Sequence, residues 1–75
     1  MPHVIVKFVP GKSEQQKAQL AEAITKNVIG IFNCAEEAVS VAMEEIQSND
    51  WADKVYKPDI IGQSNKLYKK PGYTM

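Results

Sequence analysis

Apolar and polar residues alternate at the start of the chain. In HVIVKFV, residues 3–9, Val4, Val6 and Phe8 fall on one side and Ile5, Lys7 and Val9 on the other. With so many β-branched residues, this alternation predicts a strand. Pro10-Gly11 ends it, and Ser13 followed three positions later by Gln16 has the form of a capping box, in which each side chain satisfies an orphan backbone donor of the other residue. Leu20, Ala21, Ile24, Val28, Ile31 and Phe32 then recur at helical spacing as one apolar stripe, with Lys17, Glu22, Lys26 and Asn27 largely off it. Asn33 suits a left-handed stop. Residues 38–46 alternate again, Val39, Val41 and Met43 against Ser40, Ala42, Glu44 and Ile46, and predict a second strand.

Strand, helix and strand in this order form a βαβ unit. A crossover helix of about five turns makes the strands parallel and the connection right-handed. The helix covers one sheet face and leaves the other to be covered, for which a second subunit is available. The predicted fold class is therefore α+β, a single domain over residues 1–75 with its βαβ core at about 2–47 and its sheet completed by oligomerisation. Residues 48–75 carry a weaker pattern interrupted by Pro58, Gly62, Pro71 and Gly72. They predict an irregular segment with a short helix near 59–69 and a closing turn at Pro71-Gly72.

Composition narrows the partners. The nine acidic residues are balanced by nine basic ones, every one a lysine, and the pI is near 6.6. That balance lacks the basic excess phosphate backbones demand, so nucleic acid is not an expected partner. No apolar run reaches the roughly 18 residues of a membrane span. The opening residues lack the charged start and apolar core of a secretory signal, so a cytoplasmic location is expected. Chains below roughly 70–80 residues seldom bury enough surface to be comfortably stable alone. A lone Cys34 makes no internal disulfide and a lone His3 builds no ordinary zinc site. Oligomerisation is the remaining support, and it would also place any substrate pocket between subunits.

Most candidate chemistry has a plain structural explanation. Neighbouring acids such as Glu44 and Glu45 point to opposite faces of a strand and cannot serve one site together. The cations and aromatic of KLYKK, residues 66–70, fit a solvated helix end. Cys34 fits a small residue closing the helix. Pro2 differs. A residue this small in second position ordinarily leads to removal of Met1, leaving a secondary amine at the head of an apolar strand. An α-amino group titrates near 8, and an apolar pocket lowers that value toward the range where general base catalysis is most efficient. His3 adjoins it, but its side chain is expected on the opposite sheet face and receives no role.

Over about the first fifty residues, several features occur together: Pro2 before an alternating strand, GKSEQQK at residues 11–17, VSVAMEEI at 39–46, and an aromatic at Trp51. In this order and spacing the chain resembles the 4-oxalocrotonate tautomerase family. The tail KKPGYTM, with Ser40 and Trp51, is most similar to its PptA-type members, which act on phenylenolpyruvate and related enols. The resemblance implies a cofactor-independent, metal-free tautomerase acting on a small 2-keto acid or aryl enolpyruvate. Pro2 would be the catalytic acid and base, Trp51 an apolar wall, and the assembly a homo-oligomer, a dimer being favoured over a hexamer. The positions matching Lys12 and Ser40 are arginines in well-known family members, holding the substrate carboxylate and polarising its keto oxygen. Lys12 keeps a charge without the two-point grip of a guanidinium, and Ser40 keeps one neutral hydrogen bond. These absent arginines motivate an alternative: a catalytically weak relative serving as a binding or structural oligomer subunit.

Overall fold

A computed structural model describes all 75 residues. β1 (His3–Phe8) and β2 (Ser40–Glu45) pair in parallel, with His3 opposite Ser40, Val6 opposite Met43 and Phe8 opposite Glu45. The second strand is shorter than the alternation over 38–46 predicts, because Glu36–Ala38 turns as a 3-10 helix before β2 begins. Between the strands runs α1 (Glu14–Phe32). Gly11, at φ +124°, makes the turn into it in a conformation closed to most side chains. The capping box forms as expected: Ser13 Oγ accepts from the Gln16 N–H at 3.1 Å, and Gln16 Oε1 accepts from the Ser13 N–H at 2.9 Å. Asn33 ends the helix at φ 57°, its N–H donating to the Ile29 carbonyl at 3.0 Å.

The helix faces the sheet along a row that shares Ala21, Ile24 and Val28 with the apolar stripe of the sequence but is rotated away from the rest of it. Lys17, Ala21, Ile24, Thr25, Val28 and Ile29 are half-buried, whereas Leu20, Ile31 and Phe32 are 45%, 78% and 68% exposed. The physical reason is width. Strand axes lie about 4.8 Å apart, so a sheet of two strands is too narrow to cover an apolar stripe of more than about 100°. Lys17 fastens α1 at this face with its ammonium 2.6 Å from both Glu14 and Glu45. Hydrogen bonds to Glu14 and Glu45 hold its pKa above the ordinary lysine value against partial desolvation.

The C-terminal part corrects the prediction of a short helix near 59–69. A 3-10 turn at Ser48–Asp50 leads into α2 (Ala52–Ile61), wound as a π-helix, and only a further turn at Ser64–Lys66 follows. Pro58 lies inside α2, where it reads in sequence as a breaker. The wider coil, bonded from each N–H to the carbonyl five residues back, relieves the clash a proline ring makes with the carbonyl four back. Gly62 closes α2 by donating to the Lys57 carbonyl at 2.8 Å, and a Cβ there would meet the Pro58 carbonyl oxygen at 2.7 Å. The KLYKK segment starts on Lys66, the last residue of the Ser64–Lys66 turn, and runs on without helix; Tyr68 within it stands fully in solvent.

Lys7, on the sheet face away from α1, reaches Asp59 of α2 at 2.6 Å. The hydrogen bond to Asp59, outweighing partial desolvation, holds the Lys7 pKa above its ordinary value, with the charges of Asp59 and Glu44 adding to it. Only Ile46, Val55 and Tyr56 are buried, three of 75 residues, and Ile5, Val9, Leu20, Ile31 and Phe32 of the βαβ unit stand exposed in a single chain. No helix is long and apolar enough to cross a membrane.

Candidate active site

Parallel pairing brings the starts of both strands together, and with them two of the candidate residues. The Ser40 N–H donates to the Pro2 carbonyl at 3.2 Å, extending the ladder one step beyond β1. Pro2 is half-buried, while Met1 ahead of it is fully exposed. His3, opposite Ser40 in register, places Nδ1 2.6 Å from Ser40 Oγ. With the ring proton on Nδ1, His3 donates and the serine hydroxyl hydrogen stays available to another acceptor; the other tautomer accepts that hydrogen instead. This pair was not anticipated from sequence. The missing information is the register, since only His3-to-Ser40 pairing sets the two side chains directly opposite each other.

The other two candidates lie at the far ends of the strands. From His3 to Phe8 the rise is about 17 Å at about 3.3 Å per residue. Beyond Phe8, Lys12 joins Val6, Phe8, Gln16, Lys17, Leu20 and Met43 around a groove of about 230 Å³ between β1 and α1. Trp51 is half-buried, and its indole N–H donates to the Tyr73 hydroxyl at 2.9 Å. It lines a second, shallower groove of about 450 Å³. Phe8, at the other end of β1, is a strand length from Pro2. Within one chain, then, Pro2 and Ser40 meet, and Lys12 and Trp51 stay apart from them. The pairing of Tyr73 with Trp51 gave no signal in sequence, since nothing local links positions 22 residues apart. No three His, Cys, Asp or Glu side chains converge as metal ligands would.

Comparison with known proteins gives this arrangement a context. Residues 2–55 match the family model described as tautomerase enzyme, a match that begins at Pro2 and takes in β1, α1, β2 and Trp51. A probable tautomerase of Xylella fastidiosa is 40% identical over 73 residues, covering 97% of this chain and 89% of its own. The tautomerase PptA of Enterobacter sp. strain 638 is 40% identical over 76 residues, covering all of both chains. Among solved structures, TomN, a 4-oxalocrotonate tautomerase homologue of the tomaymycin biosynthetic pathway, superposes with a TM-score of 0.65 at 34% identity over 67% of this chain and 77% of its own. YwhB, another such homologue, gives 0.60 at 35% identity over 61% and 75%. Sequence along the whole chain and backbone over about two thirds of it agree, and on both grounds this chain belongs to the tautomerase family of isomerases.

Proposed function

We propose that the chain interconverts the keto and enol forms of a small 2-keto acid or aryl enolpyruvate, with Pro2 as general acid and base once Met1 is removed. The observation that carries this reading is the setting of Pro2: half-buried at the head of β1, its carbonyl held by Ser40, behind a fully exposed Met1. Loss of Met1 turns an amide nitrogen into a secondary amine. Apolar cover supplied by a neighbouring copy would disfavour its charged form and keep it neutral near the working pH. The neutral amine takes the enol hydroxyl proton, and the resulting ammonium delivers a proton to the carbon α to the new carbonyl, so no proton is gained or lost. The shuttle needs no cofactor. Lys12 pairs with the substrate carboxylate, Ser40 donates one hydrogen bond to the keto oxygen, and Trp51 forms an apolar wall; the first two stabilise charge that develops in the enolate.

The strand length separating Pro2 from Lys12 and Trp51 argues for a site assembled between copies of the chain. In a homo-oligomer, the smallest being a dimer, one copy supplies Pro2 and another brings Lys12 and Trp51 to it. The exposed Ile5, Leu20, Ile31 and Phe32 support such burial between copies. With phenylenolpyruvate as substrate, Pro2→Ala leaves a mobile primary amine in place of the rigid secondary one and is expected to cost much of kcat/KM, within the about 10²–10⁴ that a positioned general base contributes. Intact mass should show a chain without Met1. A Pro2→Ala protein that turns over at the unaltered rate would sink the mechanism. A protein that assembles yet turns over none of several enol acids would instead be a binding or structural subunit.

A further inference from the structure

The C-terminal tail makes a contact that the proposed chemistry does not use. Trp51 has one polar atom, its indole N–H, and that donor is spent on the hydroxyl oxygen of Tyr73 at 2.9 Å. Tyr73 is itself braced from below: its ring lies 5.8 Å from that of Tyr56 at a 37° tilt, and Tyr56, in α2, is only 7% exposed. A buried ring thus supports an outer ring, which in turn fixes the orientation of the indole. The two outer rings line the groove of about 450 Å³ together with Val9, Ser48, Thr74 and Met75. Tyr73 lies beyond residues 2–55 matched by the family model and in neither helix nor strand, and the tail that carries it lies against α2 as a strap.

We infer that Tyr73 is a positioning residue that locks the Trp51 indole, and that the strap thereby sets how strongly the site prefers an enol acid bearing an aromatic ring to an aliphatic one. The inference rests on the proposed role of Trp51 as a substrate wall. An indole held in one orientation presents a fixed face on which an aryl ring stacks at little entropic cost. An indole free to swing must be ordered by the substrate itself. An aliphatic enol acid makes little use of that face and is affected less. The bond from Trp51 to the Tyr73 hydroxyl is solvent-exposed, so removing that oxygen leaves the indole N–H to water and frees the ring without leaving a buried group unpartnered.

The chain has a single tryptophan, so its fluorescence reports this contact directly. Tyr73→Phe keeps the ring on Tyr56 and removes only the acceptor. Acrylamide quenching of Trp51 should increase, and KM for phenylenolpyruvate should rise roughly threefold to tenfold, the span expected for one hydrogen bond. The larger share of the effect should fall on KM rather than kcat, and KM for the enol of 2-ketobutyrate should move less than twofold. A chain ending at Lys70 should show the same loss of preference, enlarged. If the ratio of the two KM values in Tyr73→Phe equals that of the parent, the strap does not set specificity and the inference is overturned. Pro2→Ala, assayed alongside, tests the proline mechanism separately: its rate reports the base, whereas the KM ratio and the quenching report the strap.

Discussion

At the residue scale, the distinguishing chemistry of this chain lies in what stands where arginine is absent. Lys12 is exposed on a rim shared with Gln16 and Lys17, so its ammonium is a solvated point charge on a flexible stem. A carboxylate held this way gains less orientation than one gripped at two points. Lys12→Ala is therefore expected to raise KM for an enol carboxylate by about tenfold, on the scale of one charge-assisted hydrogen bond. Lys12→Arg should lower KM below the parent value. Steady-state kinetics on the two variants check both directions, and an Ala variant with parental KM removes Lys12 from the site. Ser40 carries the same theme. Its hydroxyl is engaged by His3 at 2.6 Å, so what it offers a substrate depends on a neighbour that local sequence gave no reason to include.

At the element scale, the boundaries of α1 follow from single residues, and those of α2 do not. Ser13 with Gln16 starts α1, and Asn33 in the left-handed region ends it, each as the local pattern predicts. Ser13→Ala removes the acceptor for the Gln16 N–H and should cost about 1 kcal/mol. For a domain of this size that is a fall of about 4–8 °C in Tm, measurable by calorimetry, with the folded spectrum retained. In α2 the same kind of reading fails at Pro58, because a proline stops an ordinary helix but is accommodated in a wider one. What holds α2 in place is nonlocal: Asp59 on Lys7 of β1, and Tyr56 beneath Tyr73 of the tail. Which apolar positions of α1 face the sheet is likewise decided by how little sheet there is to face, so Leu20, Ile31 and Phe32 end up outside.

At the scale of the whole molecule, one chain is an incomplete object: its proposed base and its proposed aromatic wall sit at opposite ends of the strands, and three residues are buried. A site shared between copies makes a specific prediction. Pro2→Ala and Trp51→Ala proteins, each impaired alone, should regain activity when unfolded together and refolded as a mixture. In a two-fold dimer half of the assemblies are mixed and each mixed one carries a single intact site, giving about a quarter of parental activity. Recovery no greater than the sum of the separate variants would place Pro2 and Trp51 in sites made by one chain. The sequence by itself determined the strand–helix–strand order, the caps of α1 and the candidate proline, because periodicity, capping chemistry and a chain's second residue are local properties. Tertiary structure alone decided that His3 meets Ser40, that Tyr73 holds Trp51, and that Lys12 and Trp51 lie a strand away from Pro2. Those relations depend on register and on how the tail folds back over α2, and neither is fixed by residues adjacent in the chain.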